Sequence, residues 1–117
     1  MSHLPFRLDA NPTMETSALA PAEAFTTDDK TELNHTHFAT NDESVLTGTW
    51  ECAPTREEID AYPVHEMMTL ISGRLRLTHP DGAVEEFGPG DTFYIAKGAP
   101  VVWEITERLR KFYMIVE

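Results

Sequence analysis

The chain contains very little cysteine and is poor in basic residues. Cys52 is its only cysteine, so no internal disulfide can form, which favours a reducing compartment. Lysine and arginine total 9 against 20 aspartate and glutamate residues, and the formal net charge is −11. A charge of this sign is repelled by nucleic-acid phosphates and by anionic membrane surfaces. We therefore expect no nucleic-acid partner and no membrane partner.

Membrane-spanning and targeting patterns are absent as well. No apolar run approaches the roughly 18 residues of a membrane helix. The N-terminal stretch Met1–Arg7 does not place a basic segment before an apolar one, as a secretory signal would. The expected location is therefore the cytoplasm.

The chain is long enough for one domain with a real core, since it has 117 residues of which 41% are apolar. Residues 1–30 contain Pro5, Pro12 and Pro21, which interrupt helices and central strands. We interpret residues 1–30 as an extended N-terminal arm that either lies on the domain or reaches a partner subunit. Residues 31–117 form the predicted domain.

Short stretches of alternating apolar and polar residues, separated by turn residues, predict an all-β domain. Leu75 and Leu77 share one face of such a stretch, and Pro80–Gly82 is typical of a hairpin turn. Gly73 and Thr106–Arg108 are interpreted as further breaks between strands. Strands at this regular spacing indicate a β-sandwich or a β-barrel.

Thr55–Glu58 has the spacing of a helix capping box, in which a threonine is followed three residues later by a glutamate. One helical turn before Pro63 and a polar loop are both compatible with this spacing. The two alternatives stay open at this point.

Glu66, six residues and Gly73 are followed by Gly90, Ala96 and Gly98. This pattern resembles the motifs of the cupin superfamily. The first motif of metal-binding cupins ends in glutamate, six residues and glycine, and Glu66 and Gly73 have this spacing. The second motif begins with glycine, proline and glycine at spacings that Gly90, Ala96 and Gly98 match, with alanine in the proline position. The resemblance implies an all-β, single-domain cupin double-stranded β-helix, a jelly-roll barrel, with an extended N-terminal arm.

Further short motifs are spread over residues 38–116. They are Gly48-x-Trp50-Glu51, Tyr62-Pro63-x-x-Glu66, Ser72-Gly73-Arg74, Asp81-Gly82, Phe87-x-Pro89-Gly90-Asp91, Trp103-Glu104 and Arg110-Lys111-x-Tyr113. Together they resemble one branch of the superfamily, the cupin family named for the ureidoglycine aminohydrolase domain, which also includes an ethanolamine-utilisation cupin. Most members of that branch have no assigned reaction, and a fold does not define a function.

The metal-binding histidines of the superfamily are missing from this chain. By comparison with the motifs, the histidine positions fall on Asp60, Tyr62 and Val101. Of the four usual ligands only Glu66 remains. The resemblance therefore implies a barrel without the usual histidine-ligated metal, and no cofactor is expected.

Glu66 is the main candidate for chemistry. It shares a strand face with Met68 and Leu70, because side chains two residues apart on a strand point the same way. By the cupin comparison this face is the barrel interior, where a carboxylate needs a partner. Glu66 is therefore either a catalytic acid or base, or a structural carboxylate bonded to Tyr62 or to an arginine.

Aromatic side chains are expected around Glu66. Trp50, Trp103 and Tyr62 would form a ligand-binding pocket for a flat or cationic small molecule, or they would simply fill the barrel. Lys111 is a further candidate for ligand binding. Facing inward, it would balance the charge of Glu66 or bind a ligand carboxylate; facing outward, it would be a solvated surface charge.

His35 and His37 have the spacing that places two imidazoles on one face of a strand. No glutamate follows them at the cupin spacing, and no bound metal is expected. If a divalent metal does bind, Glu66, His35 and His37 are the ligands to expect.

Three functions remain open. The first is a small cupin that binds a small polar metabolite through Tyr62, Glu66 and Trp103. The second is a metal-dependent, aminohydrolase-type enzyme acting on ureides or amines. The third is a structural or accessory protein that dimerises through outer-face residues such as Met67 and Ile71. By family comparison we expect a homodimer.

Overall fold

The computed structural model describes residues 4–117, and the regular structure of this range is almost entirely β. The predicted all-β class is confirmed. The only helix of the described range is a 3-10 turn at Ala22–Ala24, and none has the length and apolarity that a membrane crossing requires. Residues 1–3 of the predicted arm lie outside the described range. The strands are β1 (Glu15–Thr16), β2 (Glu32–Ala39), β3 (Val45–Cys52), β4 (Thr55–Ile59), β5 (His65–Thr78), β6 (Val84–Phe87), β7 (Thr92–Ile95) and β8 (Val101–Val116).

Strands β5 and β8 form the spine of the barrel. They pair antiparallel along their whole length, from His65 opposite Val116 to Thr78 opposite Val102. Their other neighbours change along the way: β7 and then β6 on β5, and β4 and then β3 on β8. Strands β2 and β1 continue the sheet beyond β3. All eight strands thus belong to one antiparallel sheet built on two long strands, as is consistent with a jelly-roll barrel.

Strand β5 exchanges its neighbour β7 for β6 around Gly73, where its pairing with β8 shifts register. Gly73 has a φ of +89°, a conformation that side chains disfavour, and a Cβ at this position would overlap the carbonyl oxygen of Arg108. The strand therefore bends without ending, as strands do at bulges. The predicted breaks at Gly73 and Thr106–Arg108 are wrong, because β5 and β8 run through them.

Residues Thr55–Ile59 form strand β4, so neither the helical turn nor the polar loop is correct. The strand pairs with the first part of β8. Its burial alternates: Thr55 is buried, Glu57 and Ile59 are partly buried, and Arg56 and Glu58 are exposed. Pairing with β8 outweighs the local capping-box spacing, since tertiary context overrides weak helix signals.

The predicted hairpin at Pro80–Gly82 is confirmed. The amide of His79 donates to the carbonyl of Ala83, and Thr78 pairs with Val84 to begin β6. Gly82 has a φ of +88°, the conformation that glycine accepts readily.

The core lies inside the barrel and is filled by alternate residues of its strands. Cys52 is fully buried there, and burial raises the pKa of its thiol to about 12, so it serves as a small apolar packing residue. The largest fully buried side chains include Met68, Leu70, Leu75, Ile105 and Leu109.

Residues 9–16, which precede β2, lie along the outside of the barrel. Strand β1 pairs with β2, the Thr49 hydroxyl donates to the Asp9 carbonyl at 2.7 Å, and Arg110 Nη1 donates to the Ala10 carbonyl at 2.6 Å. These contacts cover part of the outer face of β3 and β8. Phe112 lies on that face and is half-buried.

Replacing Gly73 with alanine is expected to destabilise the protein by more than the about 1–3 kcal/mol that a strained backbone conformation costs alone. The additional loss comes from the overlap of the new Cβ with the Arg108 backbone. The free energy of unfolding in urea measures it.

Gly82→Ala is the matched control, because Gly82 has nearly the same φ but open space where a Cβ would lie. It should lose only the conformational part. Equal losses in the two variants would contradict the close approach at Gly73.

Candidate ligand-binding site

A cavity of about 430 Å³ lies inside the barrel. Its walls come from β2, β3, β4, β5 and β8 and from the loop that leads into β5, and most of the lining side chains are aliphatic or aromatic. The volume falls within the range of about 300–1,000 Å³ that is usual for small-molecule sites. The cavity can therefore hold a compound of metabolite size.

Glu66 and Lys111 meet in the wall of this cavity, and each is only 5% exposed. Lys111 Nζ lies 2.6 Å from Glu66 Oε2. Lys111 lies opposite Leu70 on β5. Its side chain extends past Met68, whose Sδ is 3.6 Å from Nζ. Of the two orientations that the sequence left open for Lys111, the structure has the inward one.

Tyr62 occupies the other oxygen of Glu66. Its hydroxyl donates to Glu66 Oε1 at 2.6 Å. Burial, reinforced by the neighbouring carboxylate, raises the pKa of Tyr62 above its ordinary value, so the phenol keeps its proton and remains a donor. Both oxygens of Glu66 are thus engaged, one by the phenol and one by a lysine ammonium.

The two tryptophans hold the lysine ammonium. Nζ of Lys111 lies 4.7 Å from the ring centroid of Trp50 and 4.9 Å from that of Trp103. Both indoles are buried, and their centroids are 6.5 Å apart. Distances of this kind give an attractive cation–π interaction. The cation between the aromatic rings is therefore one that the protein itself supplies.

His35 and His37 lie away from this group. They share the face of β2 opposite to Asn34 and Thr36, which line the cavity, and their rings pack edge to face at 4.6 Å. His37 Nε2 is 3.1 Å from the Thr49 hydroxyl. The structure does not bring Glu66, His35 and His37 together, as a shared metal ion would require. Residues 4–117 contain no group of three His, Cys, Asp or Glu side chains placed to hold a metal ion.

Sequence reasoning missed several polar residues of the cavity. Asn34 and Thr36 line it from β2, and the Tyr113 hydroxyl donates to Asn34 Oδ1 at 2.7 Å. Tyr113 was accessible to prediction, because it lies two residues from Lys111 and shares its face. Asn34 and Thr36 gave no such signal, since polar residues on a strand normally indicate the solvent face.

Glu57 is a second carboxylate in the cavity wall. It lies opposite Trp103 in the pairing of β4 with β8. Burial, together with the negative charges of Glu23 and Glu32, raises the pKa of Glu57. The cavity wall therefore holds two carboxylates. Lys111 balances the charge of Glu66, whereas Glu57 forms no ion pair with a cation of residues 4–117.

Comparison with known proteins gives one family. The model of the EutQ-like cupin domain matches residues 39–113 of this chain. No curated protein matches. A solved structure of a protein of unknown function from Pseudomonas syringae pv. tomato, in the DUF861 family, is similar with a TM-score of 0.84 and 27% identity over 93% of this chain. This chain spans only 46% of that protein.

Two further solved structures are similar at lower scores. The EutQ protein of Clostridium difficile has a TM-score of 0.60 and 21% identity, covering 74% of this chain and 68% of its own. A DUF861 family protein from Thermotoga maritima has a TM-score of 0.51 and 26% identity, covering 56% of this chain and 73% of its own.

Removing one partner of the buried ion pair is expected to destabilise the protein more than replacing the whole polar group with apolar side chains. Lys111→Met leaves Glu66 charged and without its cation inside the barrel, which should cost about 3–5 kcal/mol of unfolding free energy. The all-apolar triple variant Tyr62→Phe/Glu66→Leu/Lys111→Met leaves no unpaired charge, so it should be close to wild type or more stable. Urea denaturation compares the three proteins, and a triple variant that is less stable than Lys111→Met would contradict this view.

Proposed function

Because this chain belongs to the family of EutQ-like cupin domains, we propose that it binds a small polar metabolite inside its barrel without a histidine-ligated metal ion. Family membership establishes the cupin fold and leaves the activity open. The observation that carries the proposal is the Glu66–Lys111 pair in the wall of a 430 Å³ cavity.

The energetics of this pair favour a role in binding. A buried ion pair gains little stability, and replacing it with apolar side chains of similar volume is often neutral or favourable. A barrel that needed only to be filled would be at least as stable with apolar residues at positions 62, 66 and 111. Polar groups that face a cavity, by contrast, orient a ligand and select it.

The contacts of Lys111 support a ligand with an oxygen acceptor. An ammonium group has three N–H donors; Glu66 accepts one and the Met68 sulfur lies near another. The third is free to donate to a carboxylate or carbonyl oxygen of a ligand. Trp50 and Trp103 offer apolar surface to the rest of that molecule. Glu66 remains a candidate acid or base, but its two bonded oxygens favour a positioning role.

A metal-dependent aminohydrolase is the alternative that the family resemblance suggests. The donor groups do not fit a metal at Glu66, because both of its oxygens already accept hydrogen bonds. A divalent cation beside the Lys111 ammonium would also be repelled at short range. These contacts support the metal-independent form of the proposal.

We also propose that the protein is a cytoplasmic homodimer. The exposed Met67 lies between Tyr94 and Met114 in the pairing of β5 with β7 and β8, and all three are at least 40% exposed. A contiguous apolar patch on an outer sheet face is typical of an interface. Ile71 is half-buried. The free thiol of Cys52 supports a reducing location.

Ligand binding is tested by thermal shift with a panel of small carboxylates, ureides and amines. We expect at least one compound to stabilise the protein, by about 2.7 kcal/mol at about 100 times its Kd, and the triple variant Tyr62→Phe/Glu66→Leu/Lys111→Met to lose this response. Arg76→Gln/Glu86→Gln, which removes an exposed ion pair outside the cavity, should retain it. A panel without any response, or a response that the triple variant keeps, would rule out this site.

Metal independence is tested by elemental analysis of the purified protein. We expect no stoichiometric Mn, Fe, Ni or Zn, and no change of Tm after treatment with a chelator, because the cation beside Glu66 is an ammonium. A stoichiometric metal that is lost together with Glu66 in the Glu66→Gln variant would instead favour the aminohydrolase alternative.

The dimer is tested by light scattering. Wild type should have twice the chain mass, and Met67→Lys/Met114→Lys should be monomeric because it places two charges in the apolar patch. Val84→Lys, at an exposed apolar residue of β6, is the control and should stay dimeric. A monomeric wild type would exclude the interface.

A further inference from the structure

Glu32 is a buried carboxylate without a cation partner in residues 4–117. It is 3% exposed, and four neutral groups donate hydrogen bonds to it. Oε2 accepts from the Ser17 hydroxyl at 2.5 Å, from the Leu19 amide at 3.0 Å and from Trp50 Nε1 at 3.0 Å. Oε1 accepts from the Ala20 amide at 2.9 Å.

These donors come from two separate parts of the molecule. Ser17, Leu19 and Ala20 belong to the segment 17–20, which lies at the rim of the cavity: Leu19 lines the cavity and is nevertheless 79% exposed. Trp50 belongs to the cavity wall, and the Lys111 ammonium lies over its ring.

We propose that Glu32 is a positioning residue that couples the closure of the cavity rim by segment 17–20 to the placement of Trp50 and Lys111. The consequence for ligand binding rests on the proposed function. The coupling itself is a property of the free protein.

The shared oxygen is what makes the coupling direct. Rim and wall donate to the same atom, Oε2, so a displacement of Trp50 moves the acceptor of Ser17 and Leu19. Burial by itself raises the pKa of Glu32, but the hydrogen bonds from Ser17, Ala20, Trp50 and Leu19 outweigh it and lower the pKa. The carboxylate thus stays ionised, and an ionised acceptor forms stronger hydrogen bonds than a neutral one.

Hydrogen exchange of the Leu19 and Ala20 amides tests the link. Glu32→Gln removes the charge and turns one acceptor into a donor, so both amides should exchange at least about tenfold faster. Glu51→Gln is the matched control: its carboxylate bonds Arg108 and Arg110 outside the cavity, and it should leave the two amides unchanged. The amide of Leu109 in the core reports global stability and should keep its protection in a local effect.

A second pair of variants separates coupling from simple support of the rim. Trp50→Phe removes the indole donor to Glu32, whereas Trp103→Phe removes an indole that makes no bond to it. Trp50→Phe should accelerate exchange at Leu19 and Ala20, and Trp103→Phe should not. Equal effects of the two variants, or none from Trp50→Phe, would overturn the coupling.

Access to the cavity is read with acrylamide, a small neutral quencher of indole fluorescence. Glu32→Gln should increase quenching of the two buried tryptophans, and Glu51→Gln should not. If Glu32→Gln does not fold, Ser17→Ala removes one rim donor and should increase quenching in the same direction. Unchanged quenching in the variants that fold would overturn the proposal. Because no ligand is involved, this failure is distinct from a failed ligand screen.

Discussion

The pairing of β5 with β8 is the constraint on which the rest of the structure depends. Two strands of 14 and 16 residues stay paired along their length while their other neighbours change, so they hold the remaining strands in one sheet. The register shift at Gly73 lets β5 continue through this change of neighbours. The pairing of Glu66 with Ile115 and of Leu70 with Lys111 sets the distance between Glu66 and Lys111, whose ammonium reaches the carboxylate along the inner face.

Around this spine the barrel keeps several polar side chains in its interior. Glu32, Glu66 and Lys111 are almost fully buried, yet no buried side-chain nitrogen or oxygen of residues 4–117 lacks a hydrogen-bond partner. An unpaired polar group inside a protein is costly, so each group is compensated locally. Glu66 is compensated by a charge and Glu32 by neutral donors. The first solution supplies a cation to the cavity, and the second ties the cavity rim to its wall.

Much of the fold followed from local patterns, and the errors have one cause. The hairpin at Pro80–Gly82 was predictable because turn geometry depends on a few adjacent residues. Gly73 was misinterpreted because glycine serves in bulges as well as in turns, and only the pairing partner distinguishes them. The strand at Thr55–Ile59 was missed for the same reason, since pairing with β8 is invisible in the local sequence.

The sequence by itself determined the all-β class and the resemblance to cupins, because residue type and period-two alternation are encoded in local order. The resemblance in turn implied that Glu66 faces the barrel interior and that the histidine ligands are absent. Only the tertiary structure decided that Lys111 faces inward. Alternation puts Lys111 and Phe112 on opposite faces of β8, and local order does not say which face is the core. In the fold, the N-terminal segment lies against the face of Phe112, since the Thr49 hydroxyl opposite it bonds the Asp9 carbonyl. Which long-range neighbours cover each face of a strand is a property of the folded chain, and that choice placed an ammonium between two indoles.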